Sequence, residues 1–275
     1  MKEWRLYKMT WPEIKEGIKT IDAVLIPVGA TEQHGRHMPV DHDYFTSTRL
    51  CEMAAKALCE RGRWVVVAPT INYGCSWFHM NFPGTITLSQ RTFMEVVKEV
   101  CESLLRHGFR NLIVVNNHGG NQAALTTCLN DLYAAKGIRV LFASGMDLAA
   151  EAIKELEMKG PLQHASEAET SIAMALGQDV RMNELTRDGL DRRKIHEAKR
   201  IPTSKHIAYD ISIPGSGVFI PFDYTNDISN SGVIGDATLA TKEKGQYLVE
   251  AITRKITELT EDLCMGLGGK CSGKT

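Results

Sequence analysis

Four short apolar runs rich in β-branched residues alternate with longer amphipathic stretches along this chain. The runs lie at residues 23–28, 64–69, 111–116 and 139–144. Continuous hydrophobicity over so few residues is typical of strands that are buried on both faces of a parallel sheet. Chains that alternate such strands with helices form doubly wound sheets. The sequence therefore predicts an α/β fold with a mostly parallel sheet, helices on both faces, and ligands near the carboxyl ends of the strands.

The stretches between and after the strands have the spacing of helices. Helices are predicted near residues 43–61, 89–107 and 121–136, with another beginning near Ser166 and a last one at 239–263. The second of these carries a single apolar stripe, formed by Phe93, Val96, Val97, Val100 and Leu104. Such a stripe predicts a helix that packs one face against the sheet.

No segment of the 275 residues has the composition of a linker, and α/β folds of this length often form one domain. We expect a single domain over residues 1–265 and a flexible tail at 266–275, where Gly and Lys favour solvation. Residues 185–235 are rich in Gly, Pro, Asp, Asn and Ser. They are predicted to form long loops and short strands, a usual place for substrate or subunit contacts.

Charge and hydropathy exclude several classes of partner. Lys and Arg total 32 against 33 Asp and Glu, giving a formal net charge of -1. This balance argues against binding to nucleic acid or to an anionic membrane.

The N-terminus has no apolar signal region and no segment has the length of a membrane span, so we expect a cytoplasmic protein that binds a small molecule. The seven cysteines are scattered without a C-x-x-C pair, which favours reduced thiols.

Metal-ligating residue types are densest directly after the first predicted strand. Within twelve positions this segment contains Glu32, His34, His37, Asp41, His42 and Asp43. The third strand runs into NHGGN, so His118 leaves the sheet at its carboxyl edge as well. Strand ends at one edge of a parallel sheet can be neighbours, and loop sites on a rigid scaffold are where catalysis concentrates. These side chains are therefore candidates for one metal site.

A third segment, QHASEAETS at residues 163–171, adds His164, Glu167 and Glu169. The two glutamates are two positions apart, so on a helix they point in different directions and only one is expected to reach a metal. The alternative for Glu169 is a capping box with Ser166 as N-cap. Carboxylate and imidazole ligands without thiolate favour Zn, Mn or Fe(II). Two such ions, bridged by a carboxylate such as Asp43, would make hydroxide available for attack on a carbonyl.

The motifs resemble those of the creatininase family of metal-dependent amidohydrolases. The family pattern G-x-x-E-Q-H-G-x-H-x-P-x-x-x-D is matched in register over residues 29–43. The match continues through FPGT at 82–85, NHGGN at 117–121 and ETS at 169–171. The resemblance implies a single α/β domain, assembly as a homohexamer and a centre of two divalent metal ions.

The resemblance also assigns residues. The metal ligands it implies are Glu32, His34, His118 and Asp43, with Asp43 as the bridge. The family has a glutamate two residues after the position of His118, where this chain has Gly120. The missing ligand is then expected from Glu169 in preference to Glu167.

Further roles follow from the same resemblance and from position. His164, His37 and Glu167 are candidates for proton transfer to the departing atom. Ser76 and His79 match family positions in a pocket loop, and Gly119 would let backbone approach a ligand closely. These three residues are the expected substrate contacts. Trp77 or Phe78 could cover a ring, or could instead pack as a hydrophobic staple under the loop.

The substrate is predicted only by class. Family members act on creatinine, formamides, peptide bonds and a cyclic keto-inositol, and all of these reactions attack a polarised carbonyl. Residues 150–163 lack the aromatic side chains that cover creatinine in creatininase. We therefore expect hydrolysis of the C–N bond of a small cyclic amide or formamide. The alternatives are C–C ring opening of a keto-inositol such as 3-dehydro-scyllo-inosose, and a non-catalytic metal-binding protein.

Overall fold

The structure, a computed structural model, describes residues 2–158, 163–189, 223 and 228–266. Its main sheet has four parallel strands in the order β2-β1-β3-β4. They are β1 (Ala23–Val28), β2 (Val65–Val67), β3 (Leu112–Asn116) and β4 (Leu141–Ser144). Each lies within one of the predicted apolar runs, so the parallel sheet is confirmed. Two further strands of two residues each, β5 (Arg187–Asp188) and β6 (Gly235–Asp236), pair antiparallel in a small second sheet.

Helices connect and follow the strands. They are α1 (Trp11–Gly17), α2 (His42–Glu60), α3 (Gln90–Arg106), α4 (Gln122–Lys136), α5 (Gly145–Leu148), α6 (Ala150–Glu155), α7 (Glu167–Leu176) and α8 (Lys242–Gly266). The five predicted helices correspond to α2, α3, α4, α7 and α8 within a few residues. None of the helices in the described ranges is long and apolar enough to cross a membrane. Most of the predicted loop region 185–235 and nearly all of the predicted tail lie outside the described residues.

The two faces of the sheet pack against different helices. Ile26 belongs to the apolar cluster that includes Phe93 of α3 and Leu125 of α4. Its neighbour Leu25 points the opposite way, into the cluster that includes Leu50 of α2. The second cluster also contains side chains from α7 and α8. Helices therefore cover both faces, as the continuous hydrophobicity of the strands predicts.

Strand register determines which polar segments meet at the sheet edge. β1 pairs with β3 so that Val28 is opposite Asn116. The segments that follow these two residues leave the sheet at the same edge, and they carry Glu32 and His118. The carboxyl edge of the two central strands is thus the place where the candidate ligands gather.

Candidate metal centre

The first group of candidate ligands joins a loop, a helix start and a strand end. Glu32 follows β1, Asp43 is the second residue of α2, and His118 follows β3. Nδ1 of His118 lies 3.2 Å from Oε1 of Glu32 and 3.2 Å from Oδ2 of Asp43. All three side chains are buried. One donor atom from each lies within 4.8 Å of the others, an arrangement that could hold a cation.

A second group of ligands uses the other oxygen of Asp43. Nε2 of His34 lies 3.1 Å from Oδ1 of Asp43 and 4.0 Å from Oε2 of Glu169. Glu169 is in the first turn of α7, and it is buried like His34. Because Asp43 presents one oxygen to each group, its carboxylate is in position to bridge two ions. The structure thus brings the five predicted metal ligands together.

Hydrogen bonds to the protein orient both imidazoles. Nε2 of His118 lies 3.1 Å from the carbonyl oxygen of Cys75, and Nδ1 of His34 lies 3.2 Å from the carbonyl oxygen of Glu32. A carbonyl oxygen can only accept, so each contacting nitrogen carries the proton. The nitrogen that faces the carboxylates is then the one available to a metal, as in most histidine metal sites.

The carboxylates are ionised to different extents. Burial opposes ionisation of Glu32, but the charge of His118 outweighs it and lowers the pKa of Glu32. Burial likewise acts against ionisation of Asp43, yet the charge of His34 and the hydrogen bond from His118 hold its pKa far below the usual range. Burial raises the pKa of Glu169 to about 7, against the charge of His34. Two of the three acids are therefore firmly negative in a site with little solvent.

The imidazoles compensate this charge by binding protons. Burial would lower the pKa of His34, but the charge and hydrogen bond of Asp43 raise it to about 9. The charge of Glu32 and the hydrogen bond of Asp43 likewise outweigh burial at His118 and raise its pKa well above the usual value. The cluster thus requires positive charge among its carboxylates. A divalent cation bound there would supply that charge, and this set of oxygen and nitrogen donors fits Zn, Mn or Fe.

Two more histidines contact the same glutamate. Nε2 of His79 lies 3.4 Å and Nδ1 of His164 lies 3.7 Å from Oε1 of Glu32. Gln33 holds both rings, because its side-chain nitrogen lies 2.9 Å from Nδ1 of His79 and its backbone carbonyl oxygen lies 2.8 Å from Nε2 of His164. Burial lowers the pKa of His79 to about 4 and that of His164 well below its usual value. Both imidazoles are therefore neutral near pH 7.

The other candidates for proton transfer lie elsewhere. Oε1 of Glu167 lies 2.5 Å from Nζ of Lys244 on α8. Nε2 of His37 lies 2.9 Å from Oγ1 of Thr170, and the side chain is buried. Neither Glu167 nor His37 lines the cavity described below. The structure places both in the support around the centre, whereas His164 faces it.

The capping box, which was the alternative role for Glu169, does not form in full at the start of α7. Ser166 is the N-cap, but its side chain makes no capping hydrogen bond. Glu169 reaches back instead to the backbone N–H of Ala165, at 2.5 Å from Oε2. Ala165 has a left-handed backbone with φ of 49°, and this turn directs its N–H toward the glutamate. This hydrogen bond orients Glu169 toward His34. Glu169 can therefore stabilise the start of α7 and face the metal centre at the same time.

A cavity of about 390 Å³ opens over the centre. Its lining includes Glu32, Asp43, Trp77, Phe78, His79, Gln90, Asn117, His118, Gly119, Gly120, Gln163, His164 and Glu169. Phe78 stacks near His118 with ring centroids 6.2 Å apart, and Trp77 meets Phe78 edge-on. Two of the predicted substrate contacts, His79 and Gly119, line this space. The third, Ser76, lies buried beneath it, with Oγ 3.4 Å from Nε2 of His118.

Gly120 is packed too closely to be replaced by a larger residue. A Cβ at this position would meet the carbonyl oxygen of Cys75 and Nε2 of His118 well inside van der Waals distance, and the ring of Phe78 at 2.9 Å. A glutamate could not be accommodated here without displacing that ring or the backbone. The surrounding side chains and backbone are therefore packed around a glycine at position 120, where the family pattern has a glutamate.

Three further residues lie near the centre, and of these three His42 was among the candidate metal ligands of the sequence. Asn117 lines the cavity and His42 lies beside His34, with ring centroids 4.7 Å apart. Lys244 pairs with Glu167. His42 belongs to the dense ligand cluster after β1, which was a usable signal. Asn117 belongs to the NHGGN motif but was given no role, and Lys244 was not singled out, because only the folded arrangement shows what these two side chains face.

Comparison with known proteins agrees with this geometry. A family model for creatininase, described as creatinine amidohydrolase, matches residues 7–260. The chain belongs to the creatininase family. The resemblance inferred from the motifs is thus confirmed, and the structure shows the α/β fold expected with it. Like other members of the family, the chain is a metal-dependent hydrolase.

Individual members of the family align over nearly the whole chain. The 3-dehydro-scyllo-inosose hydrolase of Thermotoga maritima is 28% identical over 264 residues, covering 93% of this chain and 82% of the relative. The creatinine amidohydrolase of Pseudomonas putida is 28% identical over 269 residues, covering 91% and 94%. A solved creatininase variant described as Zn-Zn type has a TM-score of 0.72 at 26% identity, covering 95% of this chain and 98% of that chain.

Proposed function

We propose that this creatininase-family hydrolase uses two divalent ions, Zn, Mn or Fe, to hydrolyse the C–N bond of a small cyclic amide or formamide. The observation that carries the proposal is the position of Asp43, with one oxygen 3.1 Å from His34 and the other 3.2 Å from His118. Glu32 and Glu169 complete the two groups. Bound there, divalent ions would polarise a carbonyl oxygen and make hydroxide available near neutral pH.

The cavity walls support a planar substrate. The Trp77 and Phe78 side chains form an aromatic wall beside His118, and flat amide or lactam rings pack well on such surfaces.

The carboxamide of Asn117 offers a matching polar group. Asn117 is buried, and within the described ranges neither its Oδ1 nor its Nδ2 has a hydrogen-bond partner. Buried polar atoms without partners are uncommon, so their presence in a cavity lining supports ligand binding there. A cyclic amide presents a carbonyl oxygen and an N–H side by side, which complement the donor and acceptor of a carboxamide. We therefore assign Asn117 to substrate recognition.

His164 is best placed to transfer a proton to the departing nitrogen. Of the three candidates from the sequence, it is the one that lines the cavity. Its neutral imidazole can accept a proton at one step and return it at the next. The backbone carbonyl oxygen of Gln33 accepts a hydrogen bond from Nε2 of His164 and so holds the ring in place.

Ring opening of a keto-inositol is the second candidate function. The cavity contains three carboxamides, from Gln90, Asn117 and Gln163, and these groups can also bind hydroxyls. The relative from Thermotoga maritima carries the name of such an activity. The homohexamer and the cytoplasmic location stay predictions.

The discriminating experiment is a substrate panel on metal-loaded enzyme. We expect turnover of cyclic amides or formamides, with KM raised about 10-fold or more in Asn117→Ala by the loss of two hydrogen bonds. Gln90→Ala, which removes a carboxamide from the same lining, serves as the comparison. Turnover of keto-inositols alone would replace the proposal by the second candidate. Inertness toward both panels at full metal content would favour a non-catalytic protein.

A further inference from the structure

His42 is a buried histidine whose ring orientation is fixed by hydrogen bonds at Nδ1. It is the first residue of α2, and its Nδ1 lies 2.8 Å from Oε1 of Gln178. Nε2 of Gln178 donates to Oδ1 of Asp41 at 2.6 Å. Because a carboxylate only accepts, this bond fixes the orientation of the amide, and its oxygen must accept from Nδ1 of His42. The neutral ring therefore offers the lone pair of Nε2.

The Nε2 atom of His42 faces the centre without a hydrogen bond. The side chain is fully buried, and no residue in the described part of the chain gives this atom a hydrogen-bond partner. One donor atom from each of His34, His42 and Glu169 lies within 4.8 Å of the others. The rings of His34 and His42 are tilted by 53° with centroids 4.7 Å apart. A cation placed among these atoms would give the buried nitrogen its partner.

We infer that His42 is a further ligand of the cation held by His34 and Glu169. The inference rests on the proposed two-ion function. This position then has two imidazoles and two carboxylates, since Asp43 contributes one oxygen. At the position of Glu32 and His118, one imidazole belongs to the five predicted ligands, and His79 and His164 lie 3.4 Å and 3.7 Å from Glu32 beside it.

The two positions consequently differ in metal preference. Imidazole ligands suit Zn, Cu, Fe and Ni, whereas oxygen donors suit Mg, Ca and Mn. The position with His34 and His42 is therefore the tighter one for Zn or Co.

Gln178 and Asp41 form a hydrogen-bonded chain that ends at Nδ1 of His42. Gln178 and Asp41 act on the metal through the imidazole and are positioning residues. Partners of this kind fix the tautomer and orientation of a ligating histidine, and their loss weakens metal binding about 10- to 100-fold. Gln178→Leu should therefore weaken Zn binding by about that factor while His42 stays in place.

The test is Zn affinity, measured by competition with a chromophoric chelator, for the parent, His42→Gln and Gln178→Leu. His37→Gln is the matched control, since His37 is equally buried and also has one ring nitrogen without a hydrogen-bond partner among the described residues, but it belongs to none of the described groups of donor atoms that could hold a metal. We expect the tighter Zn affinity to fall at least about 100-fold in His42→Gln and to be unchanged in the control. The visible absorption spectrum of Co(II)-substituted His42→Gln should also differ from that of the Co(II)-substituted parent. Parental affinities and an unchanged Co(II) spectrum in His42→Gln would overturn the inference.

A measurement on the parent covers the case in which His42→Gln does not fold. X-ray absorption of parent protein loaded with one equivalent of Zn should show two imidazoles per ion. A single imidazole would refute the role of His42. If the parent bound no cation, the proposed function would fail together with this inference. If the parent bound two ions and turned over substrate while His42→Gln kept both affinities, only the inference on His42 would fail.

Discussion

At the scale of single residues, Asp43 connects the two halves of the centre, because its two oxygens face different histidines. Asp43→Ala should therefore release both ions, or leave both loosely held, and abolish turnover. Elemental analysis of protein purified without chelator gives the metal content per chain, expected near two equivalents in the parent. Asp131→Ala, the same change on the exposed face of α4, should leave it unaltered. Full metal content and normal turnover in Asp43→Ala would refute the bridging role.

The two glutamates of α7 should give opposite results when each is changed to glutamine. Glu169→Gln should lower metal content, because Glu169 faces His34. Glu167→Gln should retain metal but lower the free energy of unfolding by about 1–3 kcal/mol, because Lys244 loses its charged hydrogen-bond partner. Metal analysis and urea denaturation of both variants measure this. The assignment would be wrong if Glu167→Gln lost metal and Glu169→Gln did not.

The same pair shows what sequence can and cannot decide about the site. Glu32, His34, Asp43 and His118 were foreseeable, since the motifs place them directly after strands or at a helix start. Glu169 was preferred to Glu167 as the fifth ligand, but helix geometry alone left both open, because the choice depends on Lys244, which pairs with Glu167 from 77 residues further along the chain. The unpaired carboxamide of Asn117 was hidden for the same reason. Local pattern identifies ligand types, and tertiary contacts decide which of them reach the centre.

At the scale of elements, the predictable parts were those with a strong apolar pattern. The four strands and α2, α3, α4, α7 and α8 have buried faces that show in the sequence. Helix α1 was not predicted, although Thr10 and Glu13 form a capping box and Pro12 lies at the helix start. These are helix-start signals that apolar periodicity alone does not detect. The short 3-10 turns at Trp77–His79 and Gly119–Asn121 depend on how loops close over the centre.

The contact between α7 and α8 gives a prediction for an element. A Cβ on Gly245 of α8 would overlap the carbonyl group of Ser171 in α7, so the helices approach at a spacing that requires glycine. Gly245→Ala would gain about 1 kcal/mol of helix propensity, but the overlap should cost more, about 1–3 kcal/mol or above. We expect a net loss of stability in urea denaturation. Because α7 carries Glu169, metal affinity should fall as well.

The matching control is a glycine-to-alanine change without a close neighbour. Among the described residues, no atom lies within 4 Å of where a Cβ on Gly266, the last residue of α8, would be. Gly266→Ala should leave stability nearly unchanged. A Gly245→Ala protein as stable as the parent would show that the two helices can separate at little cost.

At the scale of the whole molecule, the fold class was predictable, whereas the sequence pattern did not determine the strand order β2-β1-β3-β4. Alternating strands and helices predict a covered parallel sheet, but the order depends on the side to which each connection turns. That order places β1 and β3 together in the middle, and it is why Glu32 and His118 meet. Function therefore depends on a topological feature that only the folded chain reveals.

The centre also joins distant parts of the chain, so metal should stabilise the whole fold. The five ligands follow β1 and β3 or belong to α2 and α7, and without a cation their buried carboxylates depend on protonated imidazoles for compensation. Binding to the folded state alone adds about 2.7 kcal/mol when free metal is 100-fold above Kd. At about 2–4 °C per kcal/mol, chelation should lower Tm by about 5–10 °C. Asp43→Ala supplies the control, since chelator should not change its Tm. Equal shifts in both proteins would indicate that the chelator acts elsewhere, and no shift in the parent would contradict a metal shared by these four elements.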